Sequence, residues 1–331
     1  MKFMIAGLGS IGRRHLRNLK ALGEEDIVLY RSGRSTLPDD ELAGSIVETK
    51  LDAALAYTPD AVIVSNPTAL HLDVAIPAAE AGCHLLIEKP ISHNLERVDE
   101  LLEAVKLGGG KVLVGYQFRF HPGLQAVKRW FMEGRIGKPI SAHAHWGEYL
   151  PDWHPWEDYR QSYAARRDLG GGVVLTLCHP FDYLRWLMGE VVCVTSWTGQ
   201  VGELDIEVED IAEAILEFDS EAVGHVHLDY LQRPPEHRLE IIGTEGTIRW
   251  DNADGYASIF RSAEGQWESS ALPDGYDRNA LFIAEMKHFI DVASGDVEPV
   301  CPLDDGIRSL RVALAVLLSE KGDSNHNIEN R

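Results

Sequence analysis

Three glycines near the start of the chain, Gly7, Gly9 and Gly12, have the spacing of a loop that cradles a pyrophosphate group. Gly7 allows a tight turn, Gly9 lets the backbone come close to phosphate oxygens, and Gly12 lets the next helix pack against the preceding strand. Ser10 and Ile11 lie between these glycines, and the N-terminus of the following helix offers free N–H groups and the positive end of a dipole. These residues could bind a dinucleotide; a tight structural turn is the alternative.

The segments on either side of the glycines decide between these two interpretations. Residues 2–6 form an apolar run of strand type, and Leu16, Leu19 and Leu22 recur at helical spacing after the loop. Strand, glycine loop and helix in this order are what a dinucleotide pyrophosphate requires. The sequence therefore predicts a dinucleotide-binding unit at the start of the chain.

The second predicted strand is at residues 27–30. The residues that follow it indicate which dinucleotide binds. A site that prefers NAD usually has an aspartate or glutamate here, which accepts from the ribose hydroxyls. This chain has no acid at that place but has Arg31, Ser32 and Arg34. Both guanidinium groups could pair with a 2′-phosphate, and one charge-assisted hydrogen bond contributes about 1.5–3 kcal/mol. We therefore expect NADP as the cofactor, with NAD possible; a solvated basic loop is the alternative.

The first half of the chain alternates between helix and strand patterns. In chain order, these predict a helix at 51–57, a strand at 61–65, a helix at 69–81, a strand at 84–87, a helix at 95–106 and a strand at 112–114. Such alternation is typical of a parallel sheet with helices on both faces. Asn66 and Pro67 follow the C-terminal end of a predicted strand, where open α/β sheets place their ligands.

Three motifs follow one another along the chain: Gly7-x-Gly9-x-x-Gly12, Glu88-Lys89-Pro90 and Arg119-Phe120-His121-Pro122. Each motif alone is only moderately specific, but the ordered set is highly specific. The whole chain resembles the glucose–fructose oxidoreductase, inositol dehydrogenase and rhizopine-catabolism (Gfo/Idh/MocA) family. The resemblance implies an α/β Rossmann domain with a parallel sheet, then an α+β domain with a large, mostly antiparallel open sheet. It also implies that Lys89 is catalytic and that the bond before Pro90 is commonly cis.

We place the dinucleotide-binding Rossmann domain at residues 1–121 and the substrate-binding and oligomerisation domain at residues 122–331. The second half supports this architecture with strand patterns at 139–149, 191–198, 208–218, 222–230, 237–242 and 247–250. Its helix patterns are at 173–188, 279–293 and 304–318.

A glycine-rich stretch at residues 170–172 leads to His179 and Asp182. By the same resemblance His179 is the second catalytic group, and Asp182 lies on the same face if the segment is helical. We therefore count Asp182 with Lys89 and His179 as catalytic. The family often has an aspartate a few residues before the histidine, where this chain has Thr176. The histidine thus lacks its usual upstream carboxylate, which leaves its protonation role open.

Ordinary pKa values divide the roles of Lys89 and His179. A histidine with a pKa of about 6.5 is ready to take the hydroxyl proton of a carbinol near neutral pH. The pKa of a lysine, about 10.4, would have to fall by about three units, which costs close to 4 kcal/mol. We therefore expect Lys89 to be a charged donor to the substrate oxygen and His179 to exchange the proton. In the competing assignment, Lys89 donates the proton and His179 only binds substrate.

The candidate binding residues form two sets that share members. The cofactor-binding set is Gly7, Gly9, Ser10, Ile11, Gly12, Arg31, Ser32, Arg34, Asn66, Pro67, His71, Glu88, Lys89 and Gln117. The substrate-binding set is Lys89, Arg119, Trp153, His154, Tyr163, Thr176, His179 and Asp182. The segment at 149–160 is rich in aromatic and polar side chains and could roof a carbohydrate-like substrate. A domain or subunit contact is the alternative, since interfaces also favour these residues.

The bulk composition argues against some partners. The 331 residues carry 31 Lys and Arg against 52 Asp and Glu, a net charge of −21, which repels nucleic acid and anionic membranes. The acidic run at 203–210 is most simply a solvated loop and strand edge. We see no signal-peptide pattern and no apolar stretch of membrane length, so we expect a cytoplasmic protein. The four cysteines are far apart and are predicted to be buried free thiols.

Two His-x-His pairs, His143 with His145 and His225 with His227, each place two imidazoles on one face of a predicted strand. Asp229 shares a face with the second pair. Metal binding is one interpretation, but we favour a partly polar sheet face at a subunit interface and predict no metal. The family resemblance implies oligomer contacts through this sheet, so we expect a homodimer or homotetramer.

These observations and the resemblance together predict an NAD(P)-dependent oxidoreductase. It would transfer a hydride between the nicotinamide and a carbinol or ketone carbon of a sugar, a sugar derivative or a cyclitol. Two alternatives stay open. One is a regulatory protein that binds NAD(P) without turnover, and the other is the family's rarer NAD-dependent glycosidase chemistry. Net consumption of the cofactor with a free sugar would exclude the glycosidase.

Overall fold

The alternating first half folds into a parallel sheet. A computed structural model describes residues 1–33 and 37–318 of the chain. The six strands of this sheet are β1 (Phe3–Ala6), β2 (Ile27–Tyr30), β3 (Ile46–Glu48), β4 (Ala61–Val64), β5 (His84–Glu88) and β6 (Val112–Gly115). They lie in the order β3-β2-β1-β4-β5-β6. Every residue of β1 and β4 is buried, as expected of a parallel sheet that is covered on both faces.

Four α-helices lie between these strands in the described residues: α1 (Ser10–Ala21), α2 (Leu51–Leu55), α3 (His71–Glu80) and α4 (Val98–Gly108). The strand order reverses between β1 and β4, so the loops that follow these two strands meet at one edge of the sheet. That edge is the crevice where doubly wound folds bind dinucleotides. The predicted Rossmann fold is confirmed.

A 3₁₀ turn, Gln117–Phe120, and helix α5 (Pro122–Met132) lead to a second sheet. Its eight strands are β7 (Pro139–Gly147), β8 (Val191–Gly199), β9 (Ile211–Phe218), β10 (Val223–Asp229), β11 (Glu236–Gly243), β12 (Gly246–Asp251), β13 (Ala257–Arg261) and β14 (Gln266–Ser270). Their order is β14-β13-β12-β11-β7-β10-β9-β8. β7 and β10 run parallel, and the other neighbouring pairs are antiparallel. The predicted, mostly antiparallel sheet is confirmed.

Within the described residues, helices cover one face of the second sheet and leave the other face open. The covering helices are α5, α6 (Val173–Thr176), α7 (His179–Met188) and α9 (Leu303–Leu318). Along β7, Ala142, Ala144 and Trp146 are buried on the covered side, whereas His143 and His145 lie on the open face. Helix α8 (Asn279–Ala293) instead packs on α1 of the first sheet.

The helix predicted at residues 173–188 is interrupted. Helix α6 ends at Thr176, and α7 begins at His179. Pro180 lies in the first turn of α7, where its missing N–H needs no partner, whereas it would break the interior of one continuous helix. The interruption places His179 at the first position of a helix.

Four of the described elements were not predicted from the sequence: α5, β3, β13 and β14. Strand β14 exposes most of its side chains, so it lacks the apolar alternation that identifies a strand. Helix α4 begins at Val98 rather than at residue 95. Among the described helices, none is long and apolar enough to cross a membrane.

Two expectations about exposure are wrong. Cys193 is exposed rather than buried. Asp210, in the acidic run expected to be solvated, is fully buried. Its carboxylate accepts from the backbone N–H groups of Val201 and Gly202, each at 2.9 Å. These charge-assisted bonds hold the loop before β9 and make burial of the carboxylate tolerable.

Candidate active site

The glycine loop connects β1 to α1 and leaves no room for a side chain at two of its three glycines. Gly7 has a φ of +92°, and a Cβ there would lie 2.4 Å from the backbone nitrogen of Asn66. A Cβ on Gly12 would lie 1.9 Å from the carbonyl oxygen of Gly7. Around Gly9, the described residues place no atom within 4 Å of a Cβ position. Gly9 thus borders open space that a ligand can occupy.

Unpartnered polar groups border this space. Helix geometry leaves the backbone N–H groups of Ser10 and Ile11 without intrahelical acceptors, and no side chain caps α1. The opposite loop carries Asn66, whose buried Oδ1 has no hydrogen-bond partner among the residues described. The open space at Gly9, the free donors and this acceptor fit a bound dinucleotide.

Beyond β2, the structure supplies an acid that the sequence pattern did not place there. Asp39 accepts a hydrogen bond from Nη1 of Arg31 and lies 3.6 Å from Nη2 of Arg13. The side chain of Arg31 is 13% exposed and that of Asp39 is 64% exposed. Ser32 is exposed, and Arg34 lies outside the described residues. The charge of Arg31 is therefore already paired, contrary to the expectation of two free arginines.

His71, a predicted cofactor contact, is buried and links two loops through its ring nitrogens. Its Nδ1 lies 2.9 Å from the carbonyl oxygen of Pro90, and its Nε2 lies 2.9 Å from that of Asn66. The side chain is 1% exposed. Pro67 lies in the same loop and precedes the 3₁₀ turn Thr68–Leu70. His71 therefore holds the loops after β4 and β5 together instead of facing the crevice.

Glu88 is also buried and holds α1 in place. Its Oε1 lies 2.8 Å from Nε2 of His15. Burial alone would raise the pKa of Glu88, but the hydrogen bond and charge of His15 outweigh burial and lower it. The ionised carboxylate thus anchors the end of β5, beside Lys89, to the helix that follows the glycine loop. Gln117 follows β6, the neighbouring strand, and is half-buried at the same edge.

Lys89 is the residue at which the two halves of the molecule meet. The peptide bond between Lys89 and Pro90 is cis, as the resemblance implied. Nζ of Lys89 donates to the carbonyl oxygen of Thr176 at 2.5 Å. Because Thr176 closes α6 just before His179, this contact brings the two predicted catalytic residues into one site.

The surroundings of Lys89 keep its ammonium charged. Burial alone would lower the pKa of Lys89, but the neighbouring Cys178, Tyr163, Glu88 and Glu148 outweigh burial and raise it. Burial raises the pKa of the Cys178 thiol and of the Tyr163 phenol, so near neutral pH the support comes from the carboxylates. A cationic lysine suits the role predicted for it, a charged donor to a substrate oxygen.

His179 is enclosed by aromatic rings. Its ring centroid lies 4.9 Å from that of Phe118 and 5.5 Å from those of Tyr116 and Trp146. Burial first, and then the positive charge of Lys89, lower the pKa of His179 well below its ordinary value. The imidazole is therefore neutral at physiological pH, and its buried Nδ1 has no partner within the described chain. A neutral histidine beside a cationic lysine can take a proton from an alcohol.

Arg119 and Asp182 form a buried, bidentate ion pair. Nε and Nη2 of Arg119 lie 2.9 and 2.7 Å from the two carboxylate oxygens of Asp182, and each side chain is 2% exposed. Nη1 of Arg119 also donates to Asp305 at 2.9 Å, and the hydroxyl of Ser309 donates to Asp182 at 3.3 Å. The structure thus places both residues in the support of α7, not at the catalytic and substrate contacts predicted for them.

Two neutral hydroxyl groups lie near Lys89. The hydroxyl of Thr176 is buried and lies close to the phenols of Tyr163 and Tyr230, whereas its carbonyl oxygen holds Lys89. Burial raises the pKa of the Tyr163 phenol, so that this hydroxyl also stays neutral. Both groups are available to hydrogen-bond a polyhydroxylated substrate.

Glu148, just after β7, is an acid that the sequence predictions missed. The indole N–H of Trp146 donates to its Oε1 at 2.7 Å. Trp146 in turn stacks on His237 at a centroid distance of 4.2 Å and contacts His179. Glu148 also contributes to the raised pKa of Lys89. Its position at the C-terminal end of an alternating strand, directly before the aromatic segment, is the signal that could have identified it.

The aromatic segment after Glu148 runs as a series of short 3₁₀ turns. Trp153 packs edge-on against the buried Tyr230, with centroids 5.5 Å apart, and its buried indole nitrogen has no partner in the described segments. His154 instead contacts Trp156, which is largely exposed. Both side chains are partly buried, and Nδ1 of His154 likewise has no partner in the described segments.

The glycine-rich stretch before His179 is required by close packing. A Cβ on Gly171 would lie 2.3 Å from the carbonyl oxygen of Tyr163. Gly172 has a φ of +106°, and a Cβ there would lie 2.3 Å from Oε1 of Glu209. These contacts let α6 start beside the turn that carries Tyr163, which positions the carbonyl group of Thr176 for Lys89.

Comparisons with known proteins agree with this geometry. Residues 1–116 match the model of the oxidoreductase family with an NAD-binding Rossmann fold, and residues 124–249 match the Gfo/Idh/MocA C-terminal domain. The scyllo-inositol 2-dehydrogenase (NAD(+)) of Bacillus subtilis (strain 168) is 31% identical over 94% of this chain and 91% of its own length. The myo-inositol 2-dehydrogenase of Thermotoga maritima is 28% identical over 95% of both chains.

A solved structure of levoglucosan dehydrogenase in complex with NADH and levoglucosan has the same fold. It is 20% identical in sequence, has a TM-score of 0.84, and matches over 96% of both chains. The family models, the inositol dehydrogenases and the shared fold lead to one conclusion. This chain belongs to the Gfo/Idh/MocA family of oxidoreductases.

Proposed function

We propose that this protein is an NAD(P)-dependent dehydrogenase or reductase that acts on a CH–OH group of a sugar, a sugar derivative or a cyclitol. The observation that carries the proposal is the cationic Lys89 beside the neutral His179 in one buried site. The names of relatives support the substrate class, since two are inositol dehydrogenases and one acts on levoglucosan.

The cofactor is held where the loops after β1 and β4 meet. The N–H groups of Ser10 and Ile11 bind the pyrophosphate beside Gly9, and Asn66 and Pro67 border the same crevice. Gln117 is a further candidate contact at the neighbouring strand end. The nicotinamide, when bound, supplies the acceptor or the donor of the hydride.

The protein's own groups manage the proton and the charge on the substrate oxygen. Lys89 donates from Nζ to that oxygen and stabilises its negative charge, while a ring nitrogen of His179 takes the hydroxyl proton. Thr176 and Tyr163 use their side-chain hydroxyl groups to hydrogen-bond further hydroxyl groups of the substrate. In the reduction direction, Lys89 polarises a ketone and the protonated form of His179 delivers the proton, so the low pKa of His179 favours oxidation at physiological pH. The raised pKa of Lys89 disfavours the competing assignment, in which the lysine delivers the proton.

A substrate screen tests this proposal. The purified protein is mixed with NAD⁺ or NADP⁺ and a panel of free sugars, cyclitols and nucleotide sugars, and the absorbance of the reduced cofactor is followed. We expect sustained cofactor reduction with at least one free sugar or cyclitol. Cofactor binding without turnover across the panel would favour a regulatory protein instead, and hydrolysis of a glycoside without net cofactor reduction would favour a glycosidase.

We also propose that NADP is preferred to NAD. The supporting residue is Arg31, whose partner Asp39 is exposed enough to move aside for a 2′-phosphate. Ser32 is exposed and can donate to the same phosphate. If Asp39 keeps its place instead, its carboxylate offers the acceptor for ribose hydroxyls that an NAD site uses. The relative affinities of Asp39 and Arg31 variants distinguish these two cases.

The oligomeric state follows from the open face of the second sheet. We propose a homodimer or homotetramer in which this face is buried. In the single chain the face exposes the apolar side chains of Ile215, Val223 and Trp267. Light scattering of the wild type and of Ile215→Asp tests it; a wild-type monomer would contradict it. We also propose that the boundary between the two domains lies between residues 121 and 122. A cytoplasmic location of the protein stays a prediction.

A further inference from the structure

Four histidines lie together on the open face of the second sheet. Strands β7 and β10 are parallel neighbours, and their register pairs His143 with His225 and His145 with His227. The rings of His145 and His227 stack with centroids 4.4 Å apart and an interplanar angle of 14°. Two imidazoles are thus held side by side by the backbone register of two strands.

A carboxylate completes a compact group with this inner pair. Oδ2 of Asp229 lies 2.9 Å from Nε2 of His227, two residues earlier on the same face of β10. Oδ1 of Asp229 accepts the backbone N–H groups of Leu231 and Gln232, each at 2.6 Å. The two bonds to Oδ1 fix the carboxylate so that Oδ2 faces the imidazole. One potential ligand atom from each of His145, His227 and Asp229 lies within 4.8 Å of the others.

Further polar side chains contact the two imidazoles. Nδ1 of His227 lies 2.6 Å from Oε1 of Glu213. A carboxylate on the far nitrogen is the usual companion of a metal-bound histidine, because it fixes the tautomer and raises the basicity of the other nitrogen. Near His145, Oε1 of Gln232 lies 2.6 Å and Oε2 of Glu236 lies 3.8 Å from Nε2. Glu236 or a water molecule can supply a fourth ligand.

Gly147, the last residue of β7, makes room for the group. A Cβ at this position would lie 2.2 Å from Oδ2 of Asp229 and 2.4 Å from Oε1 of Gln232. The φ of Gly147 is not in the left-handed region, so the backbone conformation itself does not require glycine. The absent side chain therefore leaves space for the carboxylate and amide oxygens.

We propose that His145, His227 and Asp229 bind one divalent transition-metal ion, with Zn²⁺ as the expected ion. Two imidazoles and one carboxylate suit Zn²⁺, whereas Mg²⁺ and Ca²⁺ prefer oxygen ligands alone. The ion would link β7 to β10. It lies on the face of β7 opposite to Trp146 and His179, so its role is structural and it does not act on the substrate. This revises the expectation, from sequence alone, of no metal.

The proposal is tested on the full-length protein after chelator treatment and gel filtration. Zn²⁺ is titrated by calorimetry, with Mg²⁺ as a second titrant and metal analysis for stoichiometry. We expect one Zn²⁺ per chain and no Mg²⁺ binding. His227→Ala should weaken Zn²⁺ binding by roughly tenfold or more. His143→Ala is the matched control, since this histidine lies on the same face of β7 outside the group, and it should bind as the wild type does.

A second variant keeps the test valid if His227→Ala fails to fold. Asp229→Asn retains an oxygen that can accept from Leu231 and Gln232, so the loop survives while the anionic ligand is lost. It should bind Zn²⁺ more weakly than the wild type and lose the rise in melting temperature that Zn²⁺ causes. Absence of Zn²⁺ binding by the wild type, or equal weakening by His143→Ala and His227→Ala, would overturn the proposal.

Discussion

Nζ of Lys89 lies 2.5 Å from the carbonyl oxygen of Thr176, and Thr176 closes the short helix that precedes His179. This one hydrogen bond joins the loop after β5 of the first sheet to the helical segment that covers the second. It holds an ammonium group in a buried site, and that charge lowers the pKa of His179. The charged Lys89 is therefore the donor to the substrate oxygen, and the neutral His179 is the base.

The low pKa of His179 sets the acid limb of the pH profile. In the oxidation direction His179 acts as a base, so activity requires its neutral form and is lost as pH falls through its pKa. Because burial and Lys89 lower that pKa well below 6.5, kcat/KM for the alcohol should stay flat as pH falls from neutral through 6.5. His179→Gln should lose activity at every pH. A wild-type acid limb centred at or above pH 6.5 would contradict the assignment, since the ordinary histidine value is about 6.5.

The Arg31–Asp39 pair should control the choice of cofactor. Arg31→Ala should weaken NADP binding by roughly tenfold or more relative to NAD, since one charge-assisted hydrogen bond is lost. Asp39→Asn should strengthen NADP binding because the competing carboxylate charge is removed. Fluorescence titration with the two reduced cofactors measures both changes. An equal loss of both cofactors in Arg31→Ala would contradict the contact between Arg31 and the 2′-phosphate. Weaker NAD binding alone in Asp39→Asn would show that Asp39 accepts from the ribose hydroxyls.

Thr176 should matter to substrate affinity more than to folding. Its buried hydroxyl lies close to the phenols of Tyr163 and Tyr230, and Thr176→Val keeps both its shape and the carbonyl group that binds Lys89. The variant should therefore still fold, with a loss of about 1 kcal/mol of unfolding free energy or less. Loss of one substrate hydrogen bond, about 1 kcal/mol, should raise KM roughly fivefold. An unchanged KM would remove Thr176 from the substrate site.

The Arg119–Asp182 pair should contribute to stability. Asp182→Ala leaves the Arg119 guanidinium in a buried site without its bidentate partner, which should cost about 3–5 kcal/mol of unfolding free energy. Asp168→Ala is the control, because the Arg166–Asp168 pair is exposed and its loss should change stability little. Urea denaturation measures both. A stable Asp182→Ala variant that has lost turnover would restore Asp182 to the catalytic group.

The parts of the structure that could be predicted from the sequence rest on local patterns. The loop with Gly7, Gly9 and Gly12 can be recognised from the sequence because the strand before it and the helix after it are adjacent to it in the chain. The buried strands of the first sheet are short, continuous apolar runs, and their length and their β-branched residues distinguish them from buried helix segments. Strand β14 illustrates the opposite case, because an exposed edge strand has no apolar face to reveal it.

The partners of single side chains could not be predicted in the same way. Asp182 reads as catalytic by its spacing from His179, and only the fold brings Arg119 and Ser309 to it from distant segments. Asp39 is a similar case. It pairs with Arg31 from a position further along the chain than the one where NAD-binding sites usually have their acid. The association of His145 with His227 depends on the parallel pairing of β7 with β10, which no local pattern specifies.

The central claim is that Lys89 and His179 together carry out hydride-transfer chemistry, and Lys89→Met tests it most directly. Methionine fills a similar volume without the charge, so the glycine loop and the crevice should keep their cofactor affinity. With a substrate from the screen, kcat should fall by about 100-fold or more, because the charged donor to the substrate oxygen is lost. Cofactor fluorescence and the absorbance of reduced cofactor, measured on the same sample, give both quantities. Normal turnover by Lys89→Met would contradict the account.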